Sequence, residues 1–113
     1  MNWKPGQREA FAAELEAARN AQAEGHAAVA FARLERAHIL GQRSTFAHLR
    51  VHWLMFVHGL RHRDLREVAG QLPRMLAALV KTLVWVPKGN TGGARVSAFA
   101  SMPIPDDLRR YLD

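Results

Sequence analysis

The chain has 113 residues, of which 49% are hydrophobic and 23% charged, a composition that is typical of a globular protein and excludes a disordered or fibrous one. It contains no cysteine, which excludes disulfides, a cysteine nucleophile and thiolate metal ligands, so any metal must be held by nitrogen and oxygen. The formal net charge is +6, but the arginines are spread over several predicted helices, which is more typical of a solvated surface than of a nucleic-acid interface.

No stretch of the sequence has the pattern of a secretory signal or a membrane span. The first twenty residues, MNWKPGQREAFAAELEAARN, carry charges throughout and contain no apolar run. The longest apolar stretch, MLAALVKTLVWV, is interrupted by Lys81 and is shorter than the ~20 residues that a spanning helix needs. We therefore expect a soluble cytoplasmic protein with one domain over residues 1–113.

The first half of the chain predicts two helices. Pro5 suits the first position of a helix that runs to about residue 20, and Gly25 then breaks the chain. A second helix is predicted from about residue 26 to 40, where Gly41 is the natural stop. Each helix has one apolar stripe at helical spacing, formed by Phe11, Leu15 and Ala18 in the first and by Ala30, Leu34 and Ala37 in the second.

A third helix begins near Ser44 or Thr45, either of which can cap it. It carries the strongest apolar pattern of the chain, at spacings of three and four, formed by Phe46, Leu49, Trp53, Phe56 and Leu60. Asp64 followed by Glu67 resembles a capping box and predicts a fourth helix that extends to about residue 82, kinked or split at Pro73.

The C-terminal part changes character. Residues 84–99, VWVPKGNTGGARVSAF, place two short β-favouring pieces around three glycines, which predicts a hairpin or an ordered loop. Asp106 can cap a last short helix that ends at Leu112. The short breaks between the helices favour antiparallel neighbours. We thus predict an all-α fold, a small antiparallel four-helix bundle of tetratricopeptide-like helical hairpins with a glycine-rich C-terminal loop or hairpin.

Four candidate metal ligands flank the break at Gly41: Glu35 and His38 on the second helix, and His48 and His52 on the third. At about 100° per residue, the members of each pair lie only about 40° to 60° apart and share a face. If the turn between the two helices is centred after residue 42, the positions of His38 and His48 along the helix axes differ by about 1.5 Å. Those of Glu35 and His52 differ by about 3 Å. Three imidazoles and one carboxylate suit a divalent transition metal such as Zn, Cu, Ni, Co or Fe.

A simpler interpretation stays open at this point. Glu35 pairs in it with Arg36 or Arg50, and the histidines fill polar gaps in a helical interface. His58 and His62 form a second pair four residues apart, farther along the third helix, and are candidates for a second ligand site.

Several motifs together carry a resemblance to a known family: LERAHILGQ at residues 34–42, the histidines at 48 and 52, GQLPR at 70–74 and VPKGNTGGARVS at 86–97. Over nearly its whole length, the chain resembles a small bacterial family classed as a domain of unknown function, with no assigned activity. The resemblance implies an all-helical, cytoplasmic, metal-binding protein in bacteria that handle transition metals. The matching positions are Glu35, His38, His48 and His52, with Gln42 and Asn90 as polar companions.

The GNTGGA segment has a phosphate-binding interpretation, because successive glycine amides can cradle a phosphate. It lacks the Lys-Ser/Thr ending of a P-loop and is not the GxGxxG of a dinucleotide fold. The glycines are better explained by positive φ angles and by close approach to a helix, which predicts a loop that packs over one end of the bundle.

The remaining motifs limit the chemistry. The HExxH motif of zinc proteases is absent. Di-iron bundles use two Glu-x-x-His motifs, whereas this chain has one, from Glu35 to His38. A dinuclear site therefore requires a homodimer. The favoured function is metal binding, in metal handling or resistance. One alternative is a basic interaction module for nucleic acid or an acidic protein, although His48 and His52 offer poor base-reading chemistry. Another is a metal-dependent enzyme with an open coordination position.

Overall fold

The helices follow one another in the predicted order. The computed structural model describes residues 3–84 and 87–112, and within these it contains no strand. The helices are α1 (Gln7–Ala23), α2 (Ala27–Gly41), α3 (Thr45–Arg61), α4 (Leu65–Val84) and the short α5 (Asp106–Arg109). α1 packs on α2, α2 on α3 and α3 on α4, so the fold is the predicted all-α, antiparallel four-helix bundle. None of the described helices combines the length and the apolar character needed to cross a membrane.

The helix starts follow from local side-chain chemistry. The Ser44 hydroxyl accepts a hydrogen bond from the backbone N–H of Ala47 (3.4 Å), which confirms the predicted cap of α3. At the start of α4, the Asp64 carboxylate accepts from the backbone N–H of Glu67 (3.1 Å). The side chain of Glu67 does not complete a capping box, because it turns inward to other partners.

Two predicted boundaries differ from the structure, and one predicted alternative is excluded. α1 begins at Gln7 because Gly6, with a φ of 78°, provides the left-handed residue before it. α5 ends at Arg109, three residues before the predicted Leu112. At Pro73, where a kink or a split is predicted, α4 is not split, because the helix continues past the proline.

The main core lies between α1, α2 and α3. The stripes predicted for the first two helices are confirmed: Phe11, Ala18 and all three stripe residues of α2 are buried, and Leu15 is partly buried. α3 contributes Val51 and Met55, which are fully buried. The burial of these apolar stripes therefore stabilises the packing of α1 on α2.

The apolar stripe of α3 largely faces outward instead. Phe46 is 81% exposed, Trp53 52% and Leu60 53%, and the opposite face of α3 is the one that is buried. The buried face contains Gly59, where an added Cβ would lie 3.0 Å from Cγ2 of Val68. Because the small residue allows α3 and α4 to approach closely there, the bulky stripe is left on the outer surface.

The segment from Pro87 to Pro105 is an ordered loop, so the hairpin alternative is not formed in the part of it that the structure describes. The first β-favouring piece includes residues 85 and 86, which lie outside the described residues. The loop is closed by a hydrogen bond from the backbone N–H of Met102 to the carbonyl of Lys88 (2.9 Å). Gly89 has a φ of 78°, and a Cβ there would overlap the carbonyl of Met102.

Candidate metal centre

Three histidines converge between α2, α3 and α4. His38 comes from the last turn of α2, and His48 and His52 come from successive turns of the buried face of α3. Their residues are only 3%, 5% and 3% exposed, respectively. Each pair of rings has a centroid separation of 4.8 Å, so the three imidazoles form a near-equilateral triangle. The matched heights on α2 and α3 predicted that these three side chains would converge together with Glu35.

His38 is oriented by the C-terminal loop. Its Nδ1 lies 2.7 Å from the backbone carbonyl oxygen of Asn90. A carbonyl oxygen can only accept, so Nδ1 carries the proton and donates it. The buried Asn90 is itself held firmly, because its side-chain amide donates to the carbonyls of Ser97 and Ala100 (2.7 Å each) and accepts from the N–H of Gly92 (2.8 Å).

His52 is oriented by α4. Its Nδ1 lies 2.6 Å from Oε1 of Gln71, which is completely buried. The Nε2 of Gln71 donates to the Glu67 carboxylate and to the carbonyl of Gly92 (3.0 Å), and these acceptors fix which end of the amide is the nitrogen. Oε1 therefore faces His52 as an acceptor, and Nδ1 of His52 must be the donor.

These two hydrogen bonds determine the tautomers at the centre. With both Nδ1 atoms protonated, a neutral imidazole has its lone pair at Nε2. The Nε2 atoms of His38 and His52 lie 3.2 Å apart and face each other. Two facing lone pairs at this distance repel unless a proton or a cation lies between them. Two nitrogens bound to one tetrahedral Zn²⁺ at ordinary bond lengths lie about 3.3 to 3.4 Å apart, close to what is observed.

His48 completes the group. One ligand nitrogen from each of the three histidines lies within 4.8 Å of the others. Three ligand atoms within this distance of one another are compatible with binding to one ion.

The structure does not bring Glu35, the fourth predicted ligand, into this group. Glu35 is half-buried near Thr91 and Glu67. Burial raises the pKa of its carboxyl, the hydroxyl of Thr91 opposes that rise, and the charge of Glu67 adds to it. The neighbouring Arg36 donates to Glu14 (2.7 Å) and to Asp107, so it belongs to an ion-pair network on the other side of α2.

The second histidine pair has another role in the structure. The rings of His58 and His62 are 4.4 Å apart, but each Nε2 already lies near an oxygen acceptor. His58 lies 3.0 Å from the carbonyl of Ala27, and His62 lies 3.1 Å from Oε1 of Gln22. These contacts tie α3 to α2 and α1. Burial lowers the pKa of His58, which favours its neutral form.

The glycine-rich loop covers the centre. Gly92 has a φ of 82°, and a Cβ there would lie 2.5 Å from Cδ2 of His38. Only glycine meets both conditions, so the predicted packing of this loop over the bundle is confirmed at its contact with the imidazole. The carbonyl of Gly92 also accepts from Gln71, which joins the loop to α4.

Sequence reasoning missed the residues of α4 that support the centre. From the sequence, Glu67 is predicted only at the helix start, Gln71 appears only within the GQLPR motif, and Arg74 counts only as one of the arginines of a solvated surface. A usable signal was present, because Glu67, Gln71, Arg74 and Ala78 recur at helical spacing on one side of α4. Such a mostly polar stripe in an otherwise strongly amphipathic helix is normally placed in solvent, whereas here Glu67, Gln71 and Ala78 are buried.

The fold and the site together define a class: a helical bundle that encloses three oriented imidazoles in a candidate mononuclear metal centre. The chain belongs to the family described as protein of unknown function (DUF3703), whose model matches residues 5–112. No curated protein and no solved structure matches the chain significantly.

Proposed function

We propose that the protein binds one divalent transition-metal ion per chain, held by Nε2 of His38, Nε2 of His52 and one nitrogen of His48, and that it serves in metal handling. The observation that carries the proposal is the 3.2 Å contact between two Nε2 atoms whose Nδ1 atoms both donate to fixed acceptors. A cation between these nitrogens converts a repulsive contact into two bonds.

The surroundings of the rings support metal binding. Metal-bound histidines usually donate their second ring N–H to a carbonyl or a carboxylate, which fixes the tautomer and makes the ligating nitrogen more basic. Here the carbonyl of Asn90 supports His38, and the amide of Gln71, backed by Glu67, supports His52. Glu67 thus places a negative charge one hydrogen-bonded residue away from the imidazole.

The donor set limits the choice of ion. Three neutral nitrogens without a thiolate suit Zn²⁺, Co²⁺, Ni²⁺, Cu²⁺ and Fe²⁺, and the general affinity order favours Cu²⁺ among them. The hard ions Mg²⁺ and Ca²⁺ prefer oxygen ligands and fit poorly.

Metal content tests the proposal directly. Protein purified without a histidine tag and then loaded with Zn²⁺ or Co²⁺ is expected to retain about one ion per chain through gel filtration, measured by mass spectrometry of the metal. The double variant His48→Ala/His52→Ala is expected to lose it. The matched control is His58→Ala/His62→Ala, which removes two histidines of the same helix outside the centre and should retain the ion. Unchanged metal content in the first double variant refutes the assignment, because the ion would then be held by other residues.

We also infer that two copies associate through α4. Leu65, Leu72, Leu76 and Leu79 are all exposed, at successive spacings of seven, four and three residues. This spacing puts them on one side of the helix, as in helices that pair with another helix. An identical helix supplies a complementary surface in a twofold dimer.

The buried position of the three histidines favours metal over nucleic acid as their ligand. Their rings are enclosed by α2, α3 and the loop and offer no contact to a base or a phosphate. Arg74, one of the arginines that contribute to the positive net charge, donates to the carbonyls of Gly70 and Val96 (2.9 Å each). It therefore serves the interior of the protein more than a basic surface.

A further inference from the structure

We infer that the metal ion of this centre has an open fourth coordination position, and that this position takes a small anion such as hydroxide or azide, which accepts a hydrogen bond from Arg74; hydroxide also donates one to Gln42. The inference rests on the proposed metal binding and adds the ligand class of the site. It depends on three observations: the number of protein ligands, a small cavity beside them, and two buried polar atoms that belong to residues lining the same cavity.

The protein supplies three ligands. Across residues 3–84 and 87–112, the histidine and carboxylate side chains close enough to share an ion are His38, His48 and His52. Four-coordinate zinc sites with three protein ligands keep the fourth position for water or another small ligand, whereas structural sites fill all four with protein. The placement of Glu35 outside the group thus changes the expected type of site from closed to open.

The cavity lies against these rings. All three histidines line it, together with Gln42, Arg74 and Asn90, and its volume is about 30 Å³. A space of that size accommodates about one or two water molecules, which limits the occupant to a very small molecule or ion. Its remaining wall comes from Ala77, Ala78, Pro87, Gly92 and Ala98, which contribute small or apolar groups.

Gln42 offers the cavity a hydrogen-bond acceptor. The residue is buried, and its Nε2 donates to the carbonyl of Pro87 (3.0 Å). This bond fixes the orientation of the amide, so its oxygen is Oε1 at the other end. Oε1 is buried and accepts no hydrogen bond from any part of the protein that the structure describes. Buried polar atoms are rarely left unsatisfied, and each one requires an explanation.

Arg74 offers the cavity a donor and a positive charge. Its Nη1 and Nη2 donate to the carbonyls of Gly70 and Val96 (2.9 Å each), which hold the guanidinium in place. Its Nε is buried and finds no acceptor among the described residues. The guanidinium remains charged at all relevant pH values, so this N–H stays available as a donor.

The chemistry of these groups selects an anion. Three neutral imidazoles leave the full double charge on the ion, and Arg74 adds another positive charge to the cavity wall. A small anion bound to the metal accepts a hydrogen bond from Nε of Arg74, and hydroxide in addition donates one to Oε1 of Gln42. Both unsatisfied atoms then gain a partner from the occupant that the metal attracts. A neutral organic molecule larger than two or three heavy atoms does not fit.

Azide binding to the Co²⁺ form tests the inference. The probe is the visible absorption of Co²⁺, which changes when a ligand is added or exchanged. We expect sodium azide to change the spectrum with saturation at one azide per ion. In Arg74→Lys, which moves the charge and removes the Nε–H, the dissociation constant of azide is expected to rise by at least about 10-fold, because a hydrogen bond to a charged group is lost. The Co²⁺ content should remain at one ion per chain.

Two further variants make the result specific. Arg66→Lys is the matched control, because Arg66 is exposed on the same helix and does not line the cavity, and its azide affinity should equal that of the parent. Gln42→Glu keeps the shape but puts a negative charge beside the fourth position, which is expected to weaken azide binding by at least about 10-fold. It provides a second readout if Arg74→Lys loosens the loop.

The outcomes separate this inference from the proposed function. A Co²⁺ spectrum that azide leaves unchanged means a closed coordination sphere and overturns the inference, while metal binding by the three histidines stands. Azide binding that is equally tight in the parent, Arg74→Lys and Gln42→Glu overturns the roles of these residues. Failure of the parent protein to bind Co²⁺ overturns the proposed function and this inference with it.

Discussion

The two halves of the bundle differ in the share of polar side chains that they bury. Between α1 and α2 the apolar side chains face inward, as Phe11 and Leu34 show. Between α3 and α4 much of the interior is imidazole, amide and carboxylate, while leucines and aromatic residues such as Trp53 lie on the outer surface. The first half is stabilised mainly by the burial of apolar surface, which does not require a specific neighbour. In the second half each buried polar group needs a specific hydrogen-bond partner.

This difference separates stability from function. Apolar burial stabilises without directional requirements, but an intramolecular hydrogen bond adds only about 0.5 to 1.5 kcal/mol and costs about 1 to 3 kcal/mol when one partner is removed. A protein that needed only a stable bundle gains little from three buried histidines. Changes in the two halves should accordingly affect different measurements.

The largest effect on stability is expected in the apolar half. Leu40 is almost fully buried in the core, and Leu40→Ala is expected to lower the free energy of unfolding by about 2 to 5 kcal/mol, because it removes buried apolar area and leaves a cavity. Chemical denaturation measures this, with metal content of the folded variant unchanged. The matched control Leu60→Ala, at a half-exposed position, should change stability by no more than about 0.5 kcal/mol. Equal effects at the two positions would contradict the assignment of the core.

A change in the polar half, between α3 and α4, should lower stability less than Leu40→Ala does and should lower metal affinity more. Gln71→Leu keeps the volume but leaves the N–H of His52 and the carbonyl of Gly92 without this partner. We expect a loss of about 1 to 3 kcal/mol in stability and a metal affinity lowered by about 10- to 100-fold, since ring orientation is lost. Competition with a chromophoric chelator measures the affinity.

Gln22→Leu is the control for that change, because it removes the glutamine partner of His62, a histidine outside the centre. Its metal affinity should match that of the parent. If Gln71→Leu also binds metal as tightly as the parent, then the hydrogen bond to His52 does not orient a ligand, and the tautomer argument fails.

The outer surface of the polar half should affect association more than folding. Leu72→Gln/Leu76→Gln changes two exposed side chains, so the stability of the isolated chain should change by no more than about 0.5 kcal/mol per site. We expect the dimer to dissociate at concentrations where the parent is dimeric, as measured by light scattering after gel filtration. Val29→Gln, at an exposed position on α2, is the control and should leave the dimer intact. A parent protein that is monomeric at all accessible concentrations shows that α4 is not a dimer interface.

Part of this organisation is present in the sequence pattern. Helical periodicity and capping residues locate α1 to α4 within a few residues, and matched distances from the turn identify His38, His48 and His52 as neighbours. Periodicity does not reveal which face of a helix points inward when both faces can be packed. The large stripe from Phe46 to Leu60 therefore suggested the core of α3, although the small and polar face is the one that fits between α2 and α4.

The residues that orient the histidines could not be predicted from local sequence patterns, for another reason. Asn90 meets His38 across 52 positions of the chain, and Gln71 meets His52 across 19. Such contacts depend on how the loop folds back and on the rotation of α4, neither of which has a short-range signal. Glu35 illustrates the reverse case, since its spacing from His38 is suitable for a shared ligand, yet its carboxylate lies with Glu67 and Thr91.

The contact between Gly92 and His38 also has a kinetic consequence. With the three rings almost fully enclosed, an ion bound among them as proposed would enter or leave when a covering segment moves away, and the loop that carries Asn90 and Gly92 is held there by hydrogen bonds to His38 and Gln71. The exchange rate of the ion would then be set by the opening of this loop, and equilibrium affinity by the imidazoles. The equilibrium affinity for the ion and its exchange rate would thus depend on separate parts of the chain and could change independently.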